Sequence, residues 1–138
     1  MTEADLYEQV EKWIATHYPS VLRHWDLSGV WTPSHKIRNL YGRLNGRGWP
    51  DLLILKPVSY EGIWYPGLAL ELKRDGTKIY KKDGTPANEH VAEQLAAIAR
   101  LREEGYIADI TVGFDETVET IGSYLGQPTN LPEGSTTF

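Results

Sequence analysis

The stretch Gly67-Leu68-Ala69-Leu70-Glu71-Leu72-Lys73 alternates leucine with Ala69, Glu71 and Lys73. A period of two belongs to a β-strand, whose successive side chains leave by opposite faces. One face is therefore pure leucine, and Glu71 and Lys73 share the other. Asp51-Leu52-Leu53-Ile54-Leu55 reads as a second, buried strand. The eleven residues between them, Lys56 to Pro66, are rich in turn formers and aromatics and read as a loop.

Around these strands the apolar spacing predicts helices. Leu6, Val10, Trp13, Ile14 and His17 recur at helical spacing behind Thr2 as N-cap, and Val91, Leu95, Ile98 and Leu101 mark a helix over 87–104. Residues 19–34, with Pro19, Gly29 and Pro33, suit an irregular stretch with one short strand. A further strand is expected over Ile107 to Val112, then a helix capped by Asp115 and running to Leu125. At 138 residues the chain makes one domain, expected over 1–125, with a flexible tail over 126–138. The element order predicts an α/β fold, a mixed sheet flanked by helices, with the two central strands antiparallel and the long helix crossing over to a parallel neighbour.

Cysteine is absent, which excludes disulfide frameworks, thiolate metal sites and cysteine nucleophiles. The longest strictly apolar run, Leu95 to Ala99, is far too short for a membrane span, and the acidic N-terminus does not read as a secretory signal. Net charge is −5, yet residues 36–82 hold ten of the fourteen cations against four acids, a local +6. That asymmetry gives one region a positive potential suited to phosphates.

Folding the two strands about residue 61 places Asp51 opposite Glu71, at a Cβ separation of roughly 4.5–5.5 Å. Two carboxylates so close repel unless a cation or a proton lies between them. Magnesium or manganese suits such a pair, because these ions accept one or two protein carboxylates and fill the remaining positions with water and phosphate. Lys73 beside them can stabilise an attacking hydroxide and the negative charge of a phosphoryl transition state. Gln94, next to Leu95 on the inward side of its helix, either reaches this site to hold water or phosphate or satisfies backbone groups.

Gly48-Trp49-Pro50-Asp51, a hydrophobic strand, Glu71-Leu72-Lys73 and then Gln94 resemble the VRR-NUC domain of the PD-(D/E)XK nuclease superfamily, from about Glu3 to Leu125. The resemblance implies a restriction-endonuclease-like αβββαβ core. It also implies a metal held by Asp51 and Glu71, with the Leu72 carbonyl as a further ligand and Lys73 orienting the water. A glutamate from the first helix completes the family's metal shell. Glu3 shares the apolar stripe and is preferred, with Glu11 second, since Glu8 lies nearly opposite Val10 and Ile14. Small stand-alone members resemble phage-encoded, often dimeric endonucleases of branched DNA such as Holliday junctions, so homodimerisation and a cytoplasmic location in phage-infected or bacterial cells are expected.

Arg38, Arg43 and Arg47 lead into Asp51, and Lys78, Lys81 and Lys82 follow Lys73, so both groups are candidates for gripping phosphates. Trp49, Tyr60, Trp64 and Tyr65 are candidates for stacking on bases, for a dimer interface or for the core. The four histidines lack partners at ligand spacing and are expected to be non-catalytic. The leading expectation is a metal-dependent endonuclease on structured DNA. The alternatives are a non-catalytic DNA-binding or assembly module that keeps the fold, and a hydrolase of small phosphoesters.

Overall fold

The structure is a computed structural model and describes residues 1–26, 34–45 and 48–128. The first helix, α1 (Glu3–His17), starts on a capping box in which the Asp5 amide donates to the Thr2 hydroxyl and the Thr2 amide to the Asp5 carboxylate. Its Leu6, Val10 and Ile14 are fully buried, each contributing on the order of 2 kcal/mol. Strand β1 (Arg23–Trp25) follows, then helix α2 (His35–Asn45), β2 (Leu52–Ile54), β3 (Val58–Tyr60), β4 (Ile63–Tyr65) and β5 (Leu68–Lys73). The chain ends in α3 (Glu89–Glu103), β6 (Ile107–Val112) and α4 (Phe114–Leu125).

Four strands form one sheet in the order β1-β2-β5-β6, antiparallel except for the parallel β5–β6 pair that α3 bridges. Leu52 lies opposite Leu70 and Ile54 opposite Leu68, the register expected from folding about residue 61. Leu52, Ile54, Leu68, Leu70 and Leu72 pack under α1 and α4 in the main core. On the other face Ala69, Ala108 and Ile110 pack against Ile98 of α3 in a smaller one. This is the expected mixed sheet between helices, with α1, β1, β2, β5, α3 and β6 in αβββαβ order.

Two elements depart from the sequence reading. The basic segment carries helix α2, in which Ile37, Leu40, Tyr41 and Leu44 have helical spacing and the Ser34 hydroxyl accepts the Ile37 amide. The interrupting Gly42 and the glycine-rich end at Gly48 masked it. The expected loop between the central strands holds the β3–β4 hairpin, turned at Glu61 (φ 50°) and Gly62 (φ 79°). Its turn needs two left-handed residues, and glutamate is a rare choice for the first. Helix α4 is capped by Gly113 rather than Asp115, which sits in its first turn. Of the expected tail, residues 126–128 are fixed: Gly126 caps α4, and the Pro128 carbonyl accepts the Ser59 amide of β3 at 2.7 Å. Gly29, Pro33, Arg47 and residues 129–138 lie outside the described residues. Among the described residues no helix is long and apolar enough to cross a membrane.

Candidate active site

Glu71 and Lys73 leave β5 on the α3 side because their leucine neighbours are committed to the main core. Asp51 stands at the N-terminal tip of β2, beside the C-terminal end of β5. Leu72 and Asp51 are directly joined: the Leu72 amide donates to Asp51 Oδ2 at 2.8 Å. A residue's N–H and C=O leave a strand on the same side, so the Leu72 carbonyl faces the β2 side as well. From α3, Gln94 Nε2 donates to Glu71 Oε1, and Lys73 Nζ lies 3.8 Å from the same oxygen. Asp51, Glu71, Lys73 and Gln94 are only 6%, 5%, 7% and 3% exposed, so four polar side chains are buried together where a chain normally buries none.

Burial explains the electrostatics. It raises the pKa of both carboxyls, and the Asp51 charge pushes Glu71 further upward against the partial relief of Lys73. Hydrogen bonds from the Tyr7 hydroxyl and the Leu72 amide oppose the rise at Asp51. Without a cation a proton must sit on the pair. Glu71 Oε2 is buried without an N–H or hydroxyl partner, and the Glu71 carboxyl lies within hydrogen-bond reach of Asp51, where only a shared proton or a cation can join the two. A buried carboxylate pair that offers oxygens without N–H partners fits a small hard cation. Among the described residues no group of three His, Asp or Glu side chains closes into a metal-binding cluster. Magnesium, which keeps several waters and takes one or two carboxylates, does not need one.

The helix-one acids separate cleanly. Glu3 is half-buried, and its charge acts on Asp51, Glu71 and Tyr7. Glu11 is occupied: its carboxylate accepts Arg23 Nε at 2.8 Å, an Arg23 guanidinium nitrogen at 2.7 Å and Trp25 Nε1 at 3.0 Å, which clamps α1 to β1. Glu8 is exposed beside Lys12.

Two residues join the site that sequence reasoning passed over. Tyr7 was hidden by its place in the apolar stripe of α1, where a tyrosine looks like core. Its hydroxyl reaches Asp51, and burial with that charge pushes its pKa far up. His90 precedes Gln94 by one helical turn, and its Nε2 lies 3.2 Å from Gln94 Nε2. Four-residue spacing to Gln94 was the available signal.

The expected phosphate-gripping residues are placed unevenly. Arg43 is exposed on α2, the Arg38 side chain and Arg47 lie outside the described residues, and Lys78, Lys81 and Lys82 are exposed. The lysines ride on the connector that leaves β5 at Lys73 and returns to α3 beside His90, folded back on itself by the Tyr80–Pro86 bridge and the Asp83–Thr85 turn. A surface cavity of about 630 Å³ lies at the opposite end of β5, between Leu68, Tyr60 and Tyr124, and neither Asp51 nor Glu71 lines it.

A solved structure described as "VRR_NUC domain protein" shares this fold, with a TM-score of 0.66 and 22% identity over 95% of this chain and 98% of that one. No protein-family model and no curated protein matches the chain.

Proposed function

We propose that this chain, which has the fold of a VRR-NUC domain protein, is a divalent-metal-dependent endonuclease that hydrolyses phosphodiester bonds in DNA. One observation carries the reading: a buried aspartate–glutamate pair at adjoining strand ends, with an oxygen that has no N–H partner and a lysine within 4 Å. A structural ion pair would need no second buried acid.

In this reading Asp51, Glu71 and the Leu72 carbonyl would hold magnesium or manganese, with Glu3 in its outer shell. The ion supplies Lewis-acid polarisation of the phosphate and a lower pKa for water at neutral pH. The protein's own groups do the positioning. Lys73 places an ammonium where negative charge builds on the phosphoryl oxygens and holds the attacking water in line. Gln94 fixes the Glu71 carboxyl, and Tyr7 and the Leu72 amide fix Asp51. Water adds to phosphorus, the bond to the leaving oxygen breaks, and the proton lost by water is balanced by one gained at that oxygen. Arg43, Lys78, Lys81 and Lys82 grip flanking phosphates without reading sequence.

Branched DNA, Holliday junctions among it, is the substrate this reading favours, with a closed homodimer as the acting form, since a two-fold enzyme matches a two-fold junction. The exposed apolar pairs Leu22–Leu55 and Tyr60–Ile63 supply surface for such an interface. The test is a panel of branched, single-stranded and duplex DNA incubated in magnesium and in EDTA with the natural chain and with Asp51→Ala and Lys73→Ala. Products only in metal, lost in both variants with binding retained, are expected. Shifted bands without products in any metal would leave a DNA-binding module instead.

A further inference from the structure

The connector that leaves β5 after Lys73 and enters α3 before His90 carries an ordered arm over residues 78–87. In it the Ala87 amide donates to the Ile79 carbonyl and the Lys81 amide to the Thr85 carbonyl, each at 2.8 Å, with Tyr80 opposite Pro86 between them. Tyr80 and Pro86 are thus a non-hydrogen-bonded pair, the place in a ladder where a proline's missing N–H costs nothing. The proline stiffens the backbone opposite Tyr80. Side chains alternate along such an arm. Ile79 turns inward and packs against the smaller core of Ala69, Ile98, Ala108 and Ile110, on the face of the sheet from which Glu71 and Lys73 project. Lys78 and Tyr80 therefore turn outward together, and Lys81 and Lys82 lie at the tip. Tyr80 is 53% exposed, and the arm holds three lysines against one aspartate in a chain whose net charge is −5.

We propose that the outer face of this arm grips single-stranded DNA: Tyr80 stacks on one unpaired base while Lys78, Lys81 and Lys82 hold the phosphates beside it. The assignment deepens the nuclease reading and rests on it for taking DNA as the polymer. Two properties of the arm select this occupant. A phenol face on a backbone fixed by ladder bonds and a proline loses little freedom on binding, and every base has a π-face to lay on it. Lys78 lies two residues from Tyr80, about 6.6 Å along the strand, so its ammonium meets a phosphate that flanks the stacked base. An acidic peptide would satisfy the lysines and leave the ring idle. In a duplex the bases are already stacked on one another, so the ring gains nothing and only the lysines engage. The arm therefore favours strands that carry an unpaired base, the feature that separates branched DNA from plain duplex.

Fluorescence anisotropy in EDTA tests this with three labelled probes: a short single-stranded oligodeoxynucleotide, a strand of the same length built of abasic sugars throughout, and a duplex. The natural chain should bind the base-bearing strand more tightly than the abasic one. Tyr80→Ala should weaken binding of the base-bearing strand by roughly fivefold to a hundredfold, leave the other two probes unchanged and keep the salt dependence. Tyr80→Phe, which keeps the ring, should bind like the natural chain. Lys78→Gln with Lys82→Gln should weaken all three probes and lower the salt slope on the single strand by about 0.7 for each lysine. Melting curves separate these effects from misfolding. Equal binding of the base-bearing and abasic strands by the natural chain, or undiminished binding of the base-bearing strand by Tyr80→Ala, overturns the grip. Tighter binding of polyglutamate than of DNA also overturns it, and would give the arm an acidic protein partner. The nuclease reading fails separately, by absent products in magnesium. A chain that cuts without a Tyr80-dependent preference for bases has lost only the grip, and one that holds bases through Tyr80 but never cuts keeps the grip and loses the nuclease.

Discussion

Asp51 and Glu71 meet at the ends of adjoining antiparallel strands, and each carboxyl is buried deeply enough that both cannot stay ionised unaided. The pair therefore makes stability depend on pH. Glu71 has its pKa raised in the fold, so between the ordinary glutamate value, about 4.3, and the higher native one the folded chain binds more protons than the unfolded chain. The stabilisation is complete below that range and is lost as pH climbs through it. Melting temperature without metal should fall from pH 5 into the alkaline range, and magnesium should restore more of it at high pH than at low, because metal and proton compete for the same oxygens. A metal-free melting temperature independent of pH would contradict this arrangement.

Glu71→Gln should stabilise the protein while ending its chemistry. It removes one of two clashing charges, so the metal-free melting temperature at alkaline pH should rise, by roughly 3 °C or more. Cleavage in magnesium should disappear with the ligand. Calorimetry beside a cleavage assay reads both at once. A variant that is less stable at alkaline pH would mean Glu71 serves the fold rather than a site.

Lys73 ends the interior strand β5 and is buried, so its charge can be removed with little change of shape by a side chain of similar length. Lys73→Met should fold, bind DNA and lose roughly a hundredfold or more in cleavage rate, the usual cost of deleting one preorganised group that meets transition-state charge. Single-turnover rates at saturating protein are the measurement. Loss confined to binding would reassign Lys73 to phosphate affinity.

The sequence pattern reveals the central geometry because the leucines of β5 tolerate only one register. A slip of one residue would exchange Leu70 and Glu71 between core and site. That same constraint delivers Asp51 opposite Glu71 without any structure. What stays hidden depends on tertiary packing. Tyr7 reads as core until α1 is laid across the sheet end, and His90 reads as an isolated surface residue until α3 brings Gln94 to Glu71. Helix α2 and the β3–β4 hairpin were obscured by local chemistry, a glycine within one and a glutamate at a left-handed turn position in the other.

Gly48→Ala should damage the site through the backbone. Its Cβ would strike the main chain of α3, which cannot rotate away, so Trp49, Pro50 and Asp51 must shift together. Gly84→Ala is the control, since Gly84 has φ +87° but nothing within 4 Å of a new Cβ. It carries only the left-handed cost, about 1 kcal/mol. Gly48→Ala should cost about 1–3 kcal/mol beyond that and reduce cleavage, whereas Gly84→Ala should cut normally. Equal melting temperatures and equal rates would show that the loop does not anchor Asp51.

Glu3 and Glu11 lie on the same helix, and their variants should fail in opposite ways. Glu11→Ala breaks three hydrogen bonds that hold β1 to α1, so it should lower stability by about 1–3 kcal/mol and leave the cleavage rate unchanged well below the melting temperature. Its effect has a pH signature. Arg23 holds the Glu11 carboxyl below the ordinary range, so the stabilisation is present above that range and fades as pH falls through the depressed value. The stability gap between Glu11→Ala and the natural chain should therefore narrow in acid. Glu3→Gln touches no such clamp, and its charge acts on the acid pair. It should melt like the natural chain yet need more magnesium for half-maximal cleavage. If Glu11→Ala raised the magnesium requirement and Glu3→Gln did not, the outer-shell role would pass to Glu11, and the clamp would have to open for the site to work.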